Sequence, residues 1–274
     1  MLIAIALCAT RVCVAQQSSA APAAAAATPA PAAAAAVAPS DRLIISGDGA
    51  TLTGTNGGGG GSVAYLHAFD PAVLVGVGTE YQRLYTANWA FGSLNATYSH
   101  PLTDNTRWDV HGEIHEGAGH VANESFRYGI EALGIGTSIP GGLALDLEER
   151  QIDVFTNHGS LPKVTLAKAW GTHLLTTVAY AHSFGGNLNT NYTLARIDIY
   201  SAVANLILGG SAGRVNPVVL SIDGVLPGKT LNSTEVFAGA GKRFGNFELS
   251  LLGDYIDLQG TRHFIGTLTG TWYL

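Results

Sequence analysis

The sequence predicts an all-β protein, a transmembrane antiparallel up-and-down β-barrel of about 14 strands, with about 12 as the alternative count. Three observations support this prediction: apolar and polar residues alternate with a period of two, short connections alternate with longer ones, and aromatic residues gather near strand ends. The composition agrees, because only 12% of the 274 residues are charged and 35 are glycine. A typical domain has roughly 25% charged residues and about 7% glycine.

Two segments precede the predicted barrel. Residues 1–15 combine an apolar run with the small residues Cys13 and Ala15 before a cleavage position, which predicts a secretory signal peptide. A lipoprotein signal that uses Cys8 is the alternative. Residues 16–40 are mostly alanine and proline, which predicts a disordered spacer without a core. Both cysteines lie in the first segment, so a processed chain would contain none.

The predicted barrel occupies residues 41–274, where alternating segments recur. We expect strands near 42–53, 61–69, 72–85, 88–100, 105–118, 124–139, 141–156, 161–170, 173–184, 189–199, 201–213, 234–244, 246–258 and 262–274. One strand with its turn then takes roughly 17 residues, and a tilted strand needs about 9–11 residues to cross a membrane. The lengths therefore fit a membrane-spanning barrel.

The connections between these strands differ in length on the two sides. FDPA, HPLTDN, IPGG, WGTH, IYSA and FGN are short, whereas GTNGGGG, EGAGHVANE, TNHGS, GGNLNTN and VNPVVLSIDGVLPGKTLNS are mostly longer and more polar, with the short TAN as an exception. Short turns at one rim and long loops at the other are typical of bacterial outer-membrane barrels. The glycine run 57–61 falls in a longer connection and lacks the Lys-Ser/Thr of a phosphate-binding loop, so we expect a flexible loop there.

Aromatic residues predict two belts at the two lipid–water interfaces. The belt near the short turns would contain Tyr98, Trp108, Trp170, Tyr200, Phe244, Phe247 and Trp272. The belt near the opposite rim would contain Trp89, Phe126, Tyr128, Phe155, Phe184 and Phe264. In the last strand, alternation places Phe264, Leu268, Trp272 and Leu274 on the lipid face.

This last strand, FIGTLTGTWYL, resembles the terminal strand of bacterial outer-membrane β-barrel proteins, which typically alternate and end in an aromatic residue. Here Trp272 and Tyr273 precede a final Leu274. The layout of residues 41–274 is similar to that of the YaiO-like outer-membrane barrels. The resemblance implies location in the bacterial outer membrane, contact with its lipid, and recognition of the last strand by the barrel-assembly machinery. The net charge of −6 indicates no nucleic-acid partner, and the oligomeric state stays open.

Charged residues recur on one face of several predicted strands, most clearly in RWDVHGEIHEG. A charge on the lipid face at mid-membrane costs up to about 2–4 kcal/mol, so this face is predicted to line the lumen. The predicted lumen-lining residues are Arg107, Asp109, His111, Glu113, His115, Arg127, Glu131, Asp146, Glu148, Arg196, Asp198, Glu248 and Asp254. After Glu148 the alternation breaks at EERQ, which predicts a bulge or the end of the membrane zone.

Three interpretations of these polar residues remain open: a solvated, charge-paired lumen, a metal site at the His-x-Glu-x-His stretch 111–115, and a hydrolytic rim site made of Ser125, His120 and Asn123. We favour the first and assign no catalytic residue, metal ligand or cofactor. The predicted function is a narrow passive pore or a barrel accessory to export of an envelope polymer. A barrel enzyme that modifies envelope lipid or polysaccharide, and a plugged structural barrel, are the alternatives.

Overall fold

The structure, a computed structural model, describes residues 41–274 except 53–54, 85–86, 104–105, 122–123, 155–156, 202, 216–218, 222–223 and 227–230. The predicted signal peptide, residues 1–15, and the predicted spacer, residues 16–40, lie outside the described residues. Within the described part of the chain, no helix has the length and apolar character that a membrane span requires.

Antiparallel strands make up nearly all of the described chain. They are β1 (Arg42–Leu52), β2 (Thr55–Ala68), β3 (Val73–Leu84), β4 (Ala87–Thr103), β5 (Thr106–Val121), β6 (Glu124–Ile139), β7 (Leu143–Val154), β8 (Asn157–Ser160), β9 (Lys163–Trp170), β10 (Leu174–His182), β11 (Asn191–Ile199), β12 (Asn205–Val215), β13 (Val219–Ser221), β14 (Gly224–Leu226), β15 (Leu231–Phe244), β16 (Phe247–Leu258) and β17 (Thr261–Tyr273). β8 pairs with the last residues of β7, and its Ser160 also bridges to Phe184, while β13 and β14 form a separate hairpin between β12 and β15.

The other fourteen strands form one closed barrel in which each strand pairs with its neighbours along the chain. β1 pairs with β17 from Arg42 opposite Tyr273 to Leu52 opposite His263, which closes the sheet on itself. The predicted up-and-down barrel of about 14 strands is therefore confirmed. The start of β1 and the end of β17 lie at the same rim, here called the short-turn rim. This rim also carries the connections between β2 and β3, β6 and β7, β9 and β10, and β15 and β16.

The predicted flexible loop at residues 57–61 is wrong, because this glycine run lies in β2 and pairs with both β1 and β3. Gly60 stands opposite Asp48 on one side and Gln82 on the other. A Cβ atom added at Gly59 would lie only 2.6 Å from the carbonyl oxygen of Asp48. Glycine here permits close approach of neighbouring strands rather than a turn, a use that composition alone does not distinguish. EGAGHVANE is likewise mostly strand, in β5 and β6.

The outward face of the barrel is an apolar surface that suits lipid. Exposed apolar side chains occur on the barrel strands, among them Ile45, Val63, Val77, Leu94, Leu133, Leu145, Leu166, Val178, Ile197, Leu208, Val236 and Leu251. A continuous apolar surface of this extent is unusual on a protein surrounded by water. The predicted lipid face of β17 is confirmed, because Phe264, Leu268, Trp272 and Leu274 all lie exposed on this surface.

The two predicted aromatic belts differ in outcome. In the belt near the short-turn rim, Tyr98, Trp170, Phe244 and Trp272 are exposed on the outside as predicted. In the other belt, Phe184 and Phe264 are exposed, and Phe155 lies outside the described residues. Trp89, Phe126 and Tyr128 are instead buried inside the barrel, so their predicted place was wrong.

The length of the strands explains this difference. β4, β5 and β6 have 17, 16 and 16 residues, more than the about 9–11 that a membrane crossing needs. Towards the rim opposite the short turns, their outward face therefore becomes polar, with exposed Glu116, Arg127 and Glu131. The large aromatic residues at the same height then fill the barrel interior.

Candidate functional site in the barrel lumen

A cluster of ionisable side chains lies on the inward faces of β5, β7 and β9, here called the lumenal network. It contains the predicted residues Asp109, His111, Glu113, His115, Asp146 and Glu148, together with Arg150 and Lys163. Strand register brings the members together, because His111 on β5 and Glu148 on β7 both stand opposite Gly134 of β6. These six residues thus contact one another or Arg150 and Lys163 in the structure.

Glu148 is the centre of the network. Its carboxylate lies 2.9 Å from Nζ of Lys163 and 2.5 Å from Nε of Arg150, and 3.6 Å from Nε2 of His111. Arg150 reaches further and pairs with Glu113 at 2.9 Å. The side chains of Glu148, Arg150 and Lys163 are all at least nine-tenths buried. Charges removed from water to this degree need their partners, since an unpaired buried charge costs several kcal/mol.

Arg150 and Lys163 were missed by sequence reasoning. The alternation was expected to break at EERQ, but β6 and β7 keep an unbroken register from Leu143 to Val154. Arg150 therefore follows Glu148 on the inward face, and Glu149 lies outside. The sequence suggested a break in the alternation because Glu149 and Gln151 are polar although they point outward. That inference assumed an outward face that is apolar along the whole strand.

Two glycines of β6 leave space for the side chains of the lumenal network. Gly136 stands between Asp109 of β5 and Asp146 of β7, as Gly134 stands between His111 and Glu148. A Cβ atom at Gly136 would lie 2.7 Å from both carboxylate oxygens of Asp109. Side chains from strands that are not adjacent can therefore meet across β6.

An aromatic layer lies beside the network, towards the rim opposite the short turns. It consists of Trp89, Phe91, Phe126 and Tyr128, all buried. The rings of Phe91 and Tyr128 stack with centroids 4.8 Å apart, and Phe91 also meets the His115 ring edge-on at 5.4 Å. His115, which lies 3.5 Å from Glu113, is almost completely buried at this boundary. The interior thus changes from charged to aromatic along the barrel axis.

The other predicted residues on the inward face are Arg107, Arg196, Asp198, Glu248 and Asp254. Arg196 donates hydrogen bonds from Nε to both carboxylate oxygens of Asp198, and both side chains are buried. Glu248 accepts a hydrogen bond of 2.8 Å from the Tyr273 hydroxyl. Asp198 and Glu248 both line a small cavity of about 70 Å³ near the short-turn rim. Arg107 is half-buried and Asp254 is buried on the inward face of their strands.

The predicted lumenal positions of Arg127 and Glu131 are wrong. On β6 the even-numbered residues, such as Tyr128 and Ile130, point inward. Arg127 and Glu131 are therefore exposed on the outside. Arg127 pairs there with Glu116 at 2.9 Å. The prediction assumed that aromatic and aliphatic residues face lipid along the whole strand, which fails where β6 extends past the apolar band.

The predicted metal site at 111–115 is not assembled, because Glu113 pairs with Arg150 and His115 packs against Phe91. A different set converges instead. Donor atoms of Asp109, His111 and Asp146 all lie within 4.8 Å of one another.

The predicted hydrolytic site is assembled in part. Ser125 Oγ and His120 Nδ1 are 3.0 Å apart, both exposed near the rim opposite the short turns. Asn123 lies outside the described residues, and Asn88 of β4 stands opposite His120 in the strand register.

No protein-family model matches the chain, and no curated protein is similar to it in sequence. Solved structures are similar in fold. The CymD monoaromatic hydrocarbon channel matches with a TM-score of 0.59 and 7% identity over 86% of this chain and 88% of that one. A Pseudomonas aeruginosa FadL homologue matches with a TM-score of 0.56 and 8% identity over 85% of this chain and 90% of that one. The chain therefore has the fold of bacterial outer-membrane β-barrels.

Proposed function

We propose that the protein is a narrow passive pore of the bacterial outer membrane. The observation that supports this best is the arrangement of its two faces, since an apolar outward band encloses an inward face lined by ionisable residues. Barrels of eight strands fill their interior and those of 16–18 strands hold an open channel, so fourteen strands suit a narrow passage. The similar structures include proteins described as channels, which agrees with this proposal.

The aromatic layer is the proposed constriction. Phe91 and Tyr128 are buried and stacked, so they leave little of the cross-section free on their side of the lumen. Ions would pass beside these rings, or would pass when the rings rotate out of the way. Smaller side chains at this height should then widen the passage.

Single-channel conductance in a planar bilayer tests the proposal. The wild type should show small, uniform current steps. The double variant Phe91→Ala and Tyr128→Ala should raise the step size at least about twofold, because two rings leave the narrowest level. Phe264→Ala is the matched control, since it removes a ring from the outward face, and its steps should equal those of the wild type. Absence of current in both the wild type and the double variant would contradict the pore and favour a plugged structural barrel.

A hydrolase of envelope lipid is the second candidate, favoured by the contact between Ser125 and His120. A nucleophile beside a histidine base is the minimal arrangement for acyl transfer. Alternation places both residues on the outward side near a rim, where a lipid ester could reach them. Release of fatty acid from phospholipid vesicles by the wild type, abolished in Ser125→Ala and retained in Ser99→Ala, would support this function. Equal release by all three proteins, or none, would exclude it.

Two further features of the proposal come from the sequence. Recognition of β17 by the barrel-assembly machinery remains a prediction that rests on its outward stripe of Phe264, Leu268 and Trp272. The specific resemblance to YaiO-like barrels also stays a prediction, because no family model matches the chain.

A further inference from the structure

We propose that Asp109, His111 and Asp146 form a binding site for a divalent transition-metal ion, such as Zn²⁺, on the lumenal wall of the barrel. The site is independent of whether the barrel conducts. It also differs from the sequence-predicted stretch 111–115, of which it keeps only His111.

The donors come from β5 and β7, which are separated by β6. Asp109 and His111 are two residues apart on β5, so both point inward, and Asp146 points inward from β7. His111 Nδ1 lies 3.3 Å from Asp109 and Nε2 lies 3.6 Å from Asp146, and an ion would bind through one of these two nitrogens. The donor atoms of all three residues lie within 4.8 Å of one another. An ion with bonds of about 2.0–2.2 Å would need side-chain rotations that bring these atoms closer together.

The intervening strand leaves room for these side chains. Gly136 stands in register between Asp109 and Asp146, and a Cβ atom there would meet both oxygens of Asp109 at 2.7 Å. At Gly134 a Cβ atom would overlap the His111 ring. Any other residue at these two positions would occupy the volume in which the donors converge. The two glycines thus leave this volume free for the donors and for an ion between them.

The charges also favour a cation. The lumenal network holds four carboxylates, Asp109, Glu113, Asp146 and Glu148, against two cations, Arg150 and Lys163. His111 stands between the two aspartates. With His111 neutral, the network has an excess of two negative charges, which one divalent ion balances. A proton on the imidazole would balance only one.

The mixture of donors points to the class of ion. One imidazole nitrogen with two carboxylates suits Zn²⁺ or Mn²⁺ better than Ca²⁺ or Mg²⁺, which prefer oxygen donors throughout. The side chains of Asp109, His111 and Asp146 are 34%, 25% and 26% exposed, so the ion could enter from the lumen. Three protein donors would leave a position open to water on that side.

Titration calorimetry on the tag-free, folded barrel in detergent micelles tests the site, with Zn²⁺ as the probe. We expect one Zn²⁺ per chain in the wild type. Asp109→Asn, Asp146→Asn and His111→Gln should each weaken binding about tenfold or more, since even an outer-shell change costs about 10–100-fold in affinity. Co²⁺ should give visible absorption bands of a nitrogen- and oxygen-liganded ion in the wild type, and these should be lost in His111→Gln.

Two further variants make the test specific. Gly136→Ala keeps every donor, but its methyl group would occupy the space beside the Asp109 carboxylate. This variant should also weaken Zn²⁺ binding. Glu116→Gln removes an outward acid and should bind Zn²⁺ like the wild type. Heat-modified gel mobility would verify that each variant is folded. Absence of Zn²⁺ binding to the wild type, or equal affinity in all folded variants because exposed histidines hold the ion, would overturn the proposal.

Discussion

Gln82 on β3 donates a hydrogen bond of 2.7 Å from its side-chain amide to the carboxylate of Asp48 on β1, although β2 lies between these strands. The two side chains meet above Gly60, which stands in register with both. A Cβ atom at Gly60 would overlap the Gln82 amide and the carbonyl oxygen of Tyr81. The same device recurs at Gly134 and Gly136, so inward glycines let polar groups from alternate strands interact.

Gly60→Ala should therefore destabilise the barrel. The added methyl group must displace Gln82 and press against the backbone of β3, and overpacking of this kind costs about 1–3 kcal/mol. Urea unfolding of the folded barrel in lipid vesicles, followed by tryptophan fluorescence, measures the loss. Gly49→Ala is the matched control, because nothing lies within 4 Å of a Cβ atom there. Equal unfolding midpoints for both variants would show that the space over Gly60 is not needed.

Arg150→Met should be much more damaging than Arg127→Met. Arg150 is buried between Glu113 and Glu148, and removal of one partner from a buried ion pair costs about 3–5 kcal/mol. Arg127 pairs with Glu116 on the exposed outward face, where a pair contributes about 0–1 kcal/mol. The free energy of unfolding in vesicles compares the two. Similar losses in both variants would contradict the assignment of Arg150 to the inside and Arg127 to the outside.

Glu113 and Arg127 should differ in their effect on ion selectivity, if the barrel conducts. Glu113→Gln removes an inward acid and should shift the reversal potential in a salt gradient towards anion preference. Arg127→Gln changes only the outward face and should leave that potential unchanged. A shift with Arg127→Gln of the size seen with Glu113→Gln would place the outward pair in the ion path.

The fold was predictable from the sequence because a barrel is specified by local rules. A period of two fixes which side chains face lipid, and each strand pairs with its chain neighbour, so strand count and topology follow without long-range information. The lipid face of β17 follows from alternation alone, and the exposure of Leu268 and Trp272 confirms it.

The lumenal site was predictable only in part, because alternation gives the face but not the contacts. Asp109 and His111 could be assigned to the inward face, yet their contact with Asp146 depends on register across β6 and on Gly136. The errors at Arg127 and at 57–61 share a physical origin. Composition does not reveal where a strand leaves the apolar band, or whether glycine serves a turn or a close approach.

Leu268→Arg should block assembly of the barrel far more than Thr267→Arg. Leu268 is half exposed on the lipid face of β17, where an arginine near mid-membrane costs about 2–4 kcal/mol. Thr267 points inward and stands opposite Asp48 of β1, which offers a new arginine an ion-pair partner. The folded fraction after refolding into vesicles, read from gel mobility with and without heating, compares the variants. Equal folded fractions would contradict the two faces assigned to this strand.

Asp41 should make the start of the barrel sensitive to acid. Its carboxylate accepts hydrogen bonds from the Tyr65 hydroxyl at 2.5 Å, from His67 Nδ1 at 2.9 Å and from the backbone amide of Ala68 at 3.1 Å. These bonds, that of Tyr65 above all, lower the pKa of Asp41 from 3.8 to about 2. A carboxyl group whose pKa is lower in the folded state stabilises that state above its unfolded pKa. This stabilisation disappears as the pH falls through the folded value.

Asp41→Asn should accordingly have a lower urea midpoint than the wild type at pH 7, and the difference should vanish between about pH 4 and pH 2. Tyr65→Phe removes the strongest of the three hydrogen bonds while keeping the ring. It should lower the midpoint in the same direction, and in that background Asp41→Asn should have a smaller further effect. Urea midpoints of the wild type, the two single variants and the double variant at several pH values complete the cycle. A difference between wild type and Asp41→Asn that stays constant down to pH 2 would show that the carboxylate does not anchor β1 to β2.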